Sequence, residues 1–408
     1  MKRIFLFLAT LSPGLFLIGY NIGTGSITPM AAAGAAYGMT LVWPLLISCV
    51  FTYILIVVFG RYTAVTGDTA LHSYRRYFGN WAAIPVLIAL LGSEWVSSMG
   101  VMGVVTQVVQ EWSRPLTASG EGISPILSAT VFGALVYALF WQGQHRFFER
   151  VLALFVGIMG LSFVATVFMV VPDAGEVIRG LAPELPTETD KMLSMAAMVG
   201  TTMGAILYVV RSILVQEKGW KVTDLKLERR DALISAGIMF LLRTAVMTAP
   251  AGTLHPRGEM VENAIDMVRL FEPLMGRFAV SVFVGGIVCA GLSSFFPIVL
   301  LGPWLIADYE GSPRDMRSTR SRLLVLFCVL LGLVVPVFGG RPVQVMIASQ
   351  ALITVISPLV LILMWILINR RELMGEYTAS RATNAWMTII CVFSIAMAVL
   401  GVVGLWGN

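Results

Sequence analysis

The sequence predicts an all-α integral membrane protein with about eleven transmembrane helices. Hydrophobic residues make up 57% of its 408 positions and charged residues only 12%, which is about half the charged fraction of a soluble domain. The mean hydropathy is +0.85, and apolar windows of about 20 residues, the length that crosses a bilayer, recur from end to end. We therefore expect one transmembrane domain, 1–408, in the cell membrane.

The first hydrophobic stretch, residues 4–39, is interrupted in its middle. An apolar run is followed by Asn-Ile-Gly-Thr-Gly-Ser at 21–26, and Pro29 then opens a second apolar run. Proline in a first helical turn costs no hydrogen bond, so the pattern predicts helix, unwound turn, helix. Broken backbone at membrane depth persists only where protein buries it or where it lines a cavity, and in transporters it often forms the substrate site. The alternative is a Gly/Pro-kinked helix with no ligand.

Ten further apolar windows follow, and no linker is long enough to separate soluble domains. They cover residues 41–60, 81–109, 126–142, 151–171, 192–215, 232–253, 278–307, 323–338, 345–368 and 385–406. The window at 192–215 contains a second small, polar and flexible patch at 200–204. Two interrupted spans, five positions apart, predict an inverted repeat of five plus five helices. Repeat one would cover 1–171, repeat two 190–368, and an extra helix 385–406.

Lysine and arginine in the loops predict the orientation of these spans. One set of alternate loops, which includes the N-terminus, holds more than twice as many basic residues as the other set. The richer set faces the cytoplasm in most membrane proteins, so we expect a cytoplasmic N-terminus and, with eleven spans, a C-terminus outside. The segments 173–191 and 255–272 are then also outside, and the second is expected to form a short surface helix.

Several functional classes find no support in the sequence. The four cysteines lie in predicted spans without disulfide or metal spacing, and no nucleophile with a base, phosphate loop or metal-ligand cluster is visible. We therefore expect no enzyme, no cofactor and no resident metal. The net charge of +5 comes from short loops and does not indicate nucleic acid binding. The expected partners are a small inorganic ion and the lipid bilayer, with the chain acting as a monomer.

Three ionisable residues fall inside predicted spans: Glu94, Arg211 and Arg243. Charged residues are rare within the membrane, where they face a cavity or a partner. A structural ion pair between Glu94 and one arginine is one interpretation. Arg211 could also extend from the inner end of its span to the cytoplasm.

The order of several segments resembles the Nramp family of metal transporters, which has the LeuT-type fold. The segments are SPGLFLIGY, YGMTLVWPLLIS, FFERVLALFVGIMGLSF, VPDAGEVIRGL, LYVVRSILVQ, AGLSS and SQALITVISPLVLI with RRELMGE. The resemblance covers nearly the whole chain. It implies a secondary transporter, with proton-coupled uptake of Mn²⁺ or Fe²⁺ as the usual family activity.

The sequence departs from this family at the metal site that the resemblance implies. The family uses an Asp-Pro-Gly-Asn turn in the first span, whereas positions 22–26 contain no carboxylate. Its Met-Pro-His turn in the sixth span falls at Met203-Gly204-Ala205 when the match starts from Leu207-Tyr208, and one residue away when it starts from Arg211. In both registers the histidine is absent, and a further family histidine falls at Arg211. Glu94 matches a family glutamate, and Gln350 matches a family glutamine that faces the site.

We therefore predict a transporter that works by alternating access and has a remodelled substrate site. The candidate substrate-binding residues are Gly23, Thr24, Gly25, Ser26, Thr201, Thr202, Met203, Gly204, Ala205, Arg211 and Gln350. Half-helix N-termini, close backbone approach at glycine and the Arg211 charge favour a small anion such as bicarbonate. The alternatives are a divalent cation (Mg²⁺, or Mn²⁺ and Fe²⁺ with proton coupling) and a non-transporting receptor with the transporter fold.

Overall fold

The computed structural model describes residues 12–21, 23–142, 154, 157–158, 160–161, 174–261, 266 and 272–406. Over these residues the chain forms α-helices and short 3₁₀ turns and contains no β-strand. In chain order the helices are α1 Ser12–Asn21, α2 Thr24–Tyr37, α3 Val42–Thr66, α4 Ala70–Phe78, α5 Asn80–Ser113, α6 Pro125–Gln142, α7 Ala174–Arg179, α8 Thr189–Met203, α9 Ala205–Glu217, α10 Leu225–Thr253, α11 Glu272–Glu310, α12 Thr319–Gly332, α13 Val334–Phe338, α14 Pro342–Ile368, α15 Arg371–Met374 and α16 Arg381–Trp406.

Most predicted membrane spans correspond to helices of the structure. In the described part of the chain, eight helical stretches are long and apolar enough to cross a bilayer, and the shorter α6 is also apolar. The predicted all-α membrane fold is confirmed. The window 151–171 lies outside the described residues except for isolated positions, and so does the beginning of the window 4–39.

The first break is shorter than the sequence predicts. Residues 21–26 were expected to unwind, but α2 already begins at Thr24. The Gly23 carbonyl accepts hydrogen bonds from the Ser26 and Ile27 N–H groups at 2.9 and 3.1 Å and from the Ser26 hydroxyl at 3.0 Å. Because three donors converge on this carbonyl, the helix restarts at once. Pro29 consequently lies in the second turn rather than the first.

The second break is a single residue. Gly204 has an extended backbone (φ −64°, ψ 138°) between the end of α8 and the start of α9. The Ala205 N–H donates to the Ser357 hydroxyl of α14 at 3.1 Å, and the Thr52 hydroxyl of α3 donates to the Thr202 carbonyl at 2.9 Å. Side chains of two neighbouring helices therefore satisfy backbone groups that an unbroken helix would pair internally.

Two helices begin where the sequence did not predict them. Helix α10 starts at Leu225, before the predicted window 232–253, and so includes Glu228 and Asp231. Carboxylates in the first turns of a helix are favoured by its N-terminal dipole. The short helix α4 buries Leu71 and Tyr74 while Arg76 remains exposed.

Of the expected surface helix at 255–272, the structure describes a 3₁₀ turn at His255–Arg257 and little beyond residue 261.

The broken helices lie at the centre of the bundle. Within the span Thr189–Glu217, 89% of the apolar window is buried, compared with 33% for Arg381–Leu405 at the periphery. Helices α5 and α14 pack along one another on one side, and α10 packs against α2 and α3 on the other. This arrangement brings the two breaks together between these helices.

Candidate functional site

A cavity lies where the two breaks meet, and α5, α11 and α14 complete its walls. Its volume, counted as the space open to the centre of a water molecule, is about 30 Å³. This is room for about two water molecules. Its walls are formed by Tyr20, Asn21, Gly25, Ser26, Glu94, Ser97, Gly200, Thr201, Gly204, Ile206, Leu207, Ser294, Ile298, Met346 and Gln350. The predicted association of a cavity with the breaks agrees with this geometry.

Glu94 contributes a carboxylate to this cavity. The side chain is only 2% exposed, and the Tyr20 hydroxyl donates to its Oε1 at 2.6 Å. Its second oxygen, Oε2, is buried and has no hydrogen-bond partner among the described residues. A buried carboxylate oxygen without a partner is costly, so a proton or a cation in the cavity would stabilise it.

Gln350 and Met346 of α14 lie one helical turn apart and both line the cavity. The Gln350 amide nitrogen donates to the hydroxyls of Ser97 and Ser349 at 3.2 and 3.4 Å. Met346 adds a thioether, which is a weak and soft ligand.

Gly25 supplies a backbone oxygen. In a regular helix its carbonyl would accept the N–H of residue 29, but Pro29 has no N–H. The carbonyl of this cavity-lining residue is therefore released from the helical hydrogen-bond ladder. Pro29 thus leaves the carbonyl of a cavity-lining residue without its helical N–H partner.

The structure brings together five of the predicted substrate-binding residues: Gly25, Ser26, Thr201, Gly204 and Gln350 line the cavity. Four others are near it but do not line it. Gly23 packs against Ser294, the Thr202 hydroxyl donates to the Met198 carbonyl at 2.7 Å, and Met203 and Ala205 are buried in packing. The Thr24 side chain lies outside the described part.

Arg211 does not line the cavity. The guanidinium is fully buried between two carboxylates of α10, with Nη1 2.5 Å from Asp231 Oδ2 and Nη2 3.2 Å from Glu228 Oε1. The indole of Trp220 lies 5.3 Å from the guanidinium carbon. The positive charge that the sequence interpretation placed near the substrate is thus balanced by acidic residues, and Arg211 does not extend to solvent. Arg211 is also not paired with Glu94. An ion pair between these two residues, which was one interpretation of the sequence, is therefore wrong.

Arg243 contacts the breaks themselves from α10. Its Nη2 donates to the Asn21 carbonyl at 3.0 Å, to the Thr201 carbonyl at 2.5 Å and to the Asn21 side-chain oxygen. The Asn21 amide also donates to the Thr201 carbonyl at 3.0 Å. These contacts join the ends of α1 and α8.

Sequence reasoning missed several cavity residues. Tyr20 and Asn21 directly precede the first break, and Ser97 lies one helical turn beyond Glu94, so adjacency to the break and helical spacing could have suggested them. Met346 likewise lies one helical turn before Gln350, and Ser294 ends the AGLSS segment of the family resemblance. In the described ranges no group of three or more His, Cys, Asp or Glu side chains could hold a metal ion. A cation here would depend on Glu94, neutral oxygens and water.

Two broken helices that meet at a buried polar cavity are characteristic of the LeuT-type fold. Solved structures with this fold resemble nearly the whole chain. A manganese transporter of Eremococcus coleocola, in its H236A mutant, superposes with a TM-score of 0.72 at 13% identity and covers 97% of this chain and 85% of its own. MhsT in complex with L-phenylalanine superposes with a TM-score of 0.63 at 16% identity, covering 97% and 98%.

The chain belongs to the Nramp family of multi-pass membrane transporters, since the natural resistance-associated macrophage protein-like model matches residues 14–404. Among curated relatives, a divalent metal cation transporter MntH of Nostoc sp. is 24% identical, over 98% of this chain and 92% of the relative. One of Brucella suis is 23% identical over 96% and 86%. The resemblance inferred from the sequence is thereby confirmed.

Proposed function

We propose that the protein transports a hard divalent cation, Mg²⁺ or Mn²⁺, by alternating access around the central cavity. The observation that supports this proposal is the buried Glu94 carboxylate, whose Oε2 has no protein partner. A divalent cation placed in this cavity would be held by one carboxylate together with the Gln350 amide, the Gly25 carbonyl and water. Oxygen donors of this kind suit Mg²⁺ and Mn²⁺.

The same geometry argues against the small anion that the sequence favoured. The Arg211 charge is balanced by Asp231 and Glu228, and the first N–H of α9, that of Ala205, already donates to Ser357. Two of the features that would attract an anion are therefore engaged elsewhere. The charged side chain among the cavity walls is the acidic Glu94. The curated relatives named above are divalent metal cation transporters, which agrees with a cation.

The cavity size limits how much water the cation can retain. A space for about two water molecules is too small for a cation with a complete shell of six waters, so the cation would exchange most of that shell for protein oxygens. Mg²⁺ commonly retains part of its water and binds through one or two carboxylates. With a single carboxylate and the Arg243 charge nearby, we expect low affinity, which suits an abundant ion.

The test is uptake into proteoliposomes that contain a fluorescent indicator for Mg²⁺ or Mn²⁺. We compare the native chain with Glu94→Gln, which keeps the side-chain shape and removes the charge, and with Glu121→Gln, an exposed glutamate in a loop, as the matched control. We expect uptake to saturate with cation concentration, to fall about tenfold or more in Glu94→Gln because a charged ligand contributes about 1.5–3 kcal/mol, and to be unchanged in Glu121→Gln.

Bicarbonate is offered in parallel, with internal pH as the signal. A pH change that depends on bicarbonate and proceeds without Mg²⁺ or Mn²⁺ uptake would overturn the proposal in favour of the anion. If none of the three ions is transported and a cooperative thermal unfolding transition shows that the protein is folded, the non-transporting receptor is favoured. Equal cation uptake by Glu94→Gln and the native chain would remove Glu94 from the site.

A further inference from the structure

Arg243 is among the largest fully buried side chains of the described residues, with 1% exposure, yet none of the carboxylates that the structure describes is ion-paired with it. All three acceptors of its Nη2 group are oxygens of Asn21 and Thr201. An unpaired charge inside a membrane protein is expensive, so these oxygens have to stabilise it.

The two backbone acceptors both lie in the last turn of the first half of a broken helix. Asn21 is the last residue of α1, and Thr201 lies in the last turn of α8, which ends at Met203. The last carbonyls of a helix have no helical partner and carry the negative end of its dipole. The Arg243 guanidinium therefore lies where two half-helix C-terminal ends converge.

Transporters with broken helices commonly bind Na⁺ or H⁺ at these half-helix C-terminal ends. Arg243 is coordinated by two backbone carbonyls and one amide oxygen, which come from helices α1 and α8. A small monovalent cation requires oxygen ligands of this kind. In this chain a covalently attached cation from α10 already contacts these oxygens.

We infer that Arg243 is a built-in cation that takes the place of a bound monovalent ion at the junction of α1 and α8. The junction is then assembled at all times, and neither the folded site nor transport requires Na⁺. The Asn21 amide, which donates to the Thr201 carbonyl, positions these oxygens around the guanidinium. The inference deepens the proposed function, because it concerns the ion requirement of the same site.

The central test measures thermal unfolding, which requires no transported substrate and so can fail independently of the proposed function. Purified protein in nanodiscs is melted in NaCl and in choline chloride of equal ionic strength. We compare the native chain with Arg243→Met, Arg243→Lys and the exposed-loop control Arg341→Met. Choline is too large to enter the junction, whereas Na⁺ can reach the vacated oxygens.

We expect the native chain, Arg243→Lys and Arg341→Met to have the same Tm in both salts. Arg243→Met should unfold at lower temperature in choline and recover part of the difference in NaCl. Cation uptake by Arg243→Met in choline should fall about tenfold or more, because hydrogen bonds from a charged group are lost, and should rise several-fold when Na⁺ is added.

Three results would overturn the inference. One is Na⁺-dependent stability or uptake in the native chain. Another is an Arg243→Met variant that matches the native Tm and uptake in choline, because the charge would then be unnecessary. The third is an Arg243→Met variant that folds but responds identically to Na⁺ and choline, because its oxygens would then have no affinity for a small cation.

If Arg243→Met does not fold in either salt, Arg243→Ala is produced in membranes with ethylguanidinium or with its neutral analogue N-ethylurea. Recovery of folded protein with ethylguanidinium alone supports the built-in cation. Equal recovery with both compounds, or recovery with neither, contradicts it, because shape or the covalent side chain would then be what the junction needs.

Discussion

At the scale of residues, three buried charges are stabilised in three different ways. Arg211 is ion-paired with Asp231 and Glu228. Arg243 donates hydrogen bonds to backbone carbonyls and an amide oxygen, and Glu94 accepts one from a tyrosine hydroxyl. Only Glu94 retains an unpaired atom in the cavity. The partner of a charge, rather than its presence in a membrane span, therefore indicates which residue is available to a substrate.

Replacing Arg211 by Met should destabilise the fold rather than alter the substrate. The substitution leaves Glu228 and Asp231 buried beside one another without their shared cation, and breaking a buried ion pair in this way costs about 3–5 kcal/mol. Thermal or denaturant unfolding in nanodiscs measures the loss. The control is Arg76→Met, an arginine whose side chain is 58% exposed in its pair with Asp68, where the expected change is about 0–1 kcal/mol. Similar losses in both variants would contradict the buried triad.

At the scale of elements, the breaks depend on glycines that let helices approach closely. A Cβ on Gly200 of α8 would overlap the Gln350 carbonyl and the Thr354 hydroxyl of α14. Helices α8 and α14 could not keep their present separation with any larger residue at this position. Because Gln350 lines the cavity, this contact also fixes a wall of the site.

Gly200→Ala should therefore lower both stability and transport. Overpacking of a close helix contact costs about 1–3 kcal/mol, and displacement of Gln350 should reduce uptake of the cation. The matched control is Gly237→Ala in α10, where an added Cβ meets nothing within 4 Å and helix propensity predicts a gain of about 0.5–1 kcal/mol. Unfolding and proteoliposome uptake are measured for both. A Gly200→Ala variant with native uptake would show that the helix contact does not control the site.

At the scale of the whole molecule, one end of the bundle is held together by a polar cluster that we define as Thr69, Asp308, Arg314, Gln216 and Glu217. Arg314 lies 2.9 Å from Asp308 and 2.5 Å from Glu217, and Asp308 also accepts from Thr69 at 2.6 Å. The cluster joins the ends of α9 and α11 to the segment before α4. Loop charges predict that this end faces the cytoplasm, and the proposed alternating access would require it to open.

Arg314→Ala should shift the protein towards a state that is open at this end. The buried Asp308 loses a charge-assisted partner, and a change of about 1.4 kcal/mol shifts a two-state equilibrium tenfold. The opening is measured with a Leu207→Cys variant in which the native cysteines are replaced. A membrane-impermeant thiol reagent is added at that side, and the rate at which it alkylates the cavity thiol increases when this end opens. Arg320→Ala, which removes an exposed pair with Glu310 at the same end, is the control. An unchanged alkylation rate in Arg314→Ala would exclude the cluster from the transition.

The sequence by itself determined the membrane class, nine of the eleven predicted spans with the described part of the broken first one, the two breaks and the family. The spans and the breaks follow from local hydropathy and from glycine and proline, which act through the nearest residues of the chain. The family follows from the order of the segments that resemble it. The repeat boundaries and the orientation remain predictions of the same kind. Glu94 and Gln350 were also recognised from the sequence, through the family pattern.

Only the tertiary structure decided which charged residue meets which partner. Arg211 reaches carboxylates that the sequence had placed in a loop, and Arg243 reaches Asn21 at a separation of 222 positions. Electrostatic interactions depend on distance and burial in space, and no local pattern contains either quantity. That Glu94 lines the cavity and Arg211 does not therefore followed from helix packing, and the proposed preference for a cation rests on this difference.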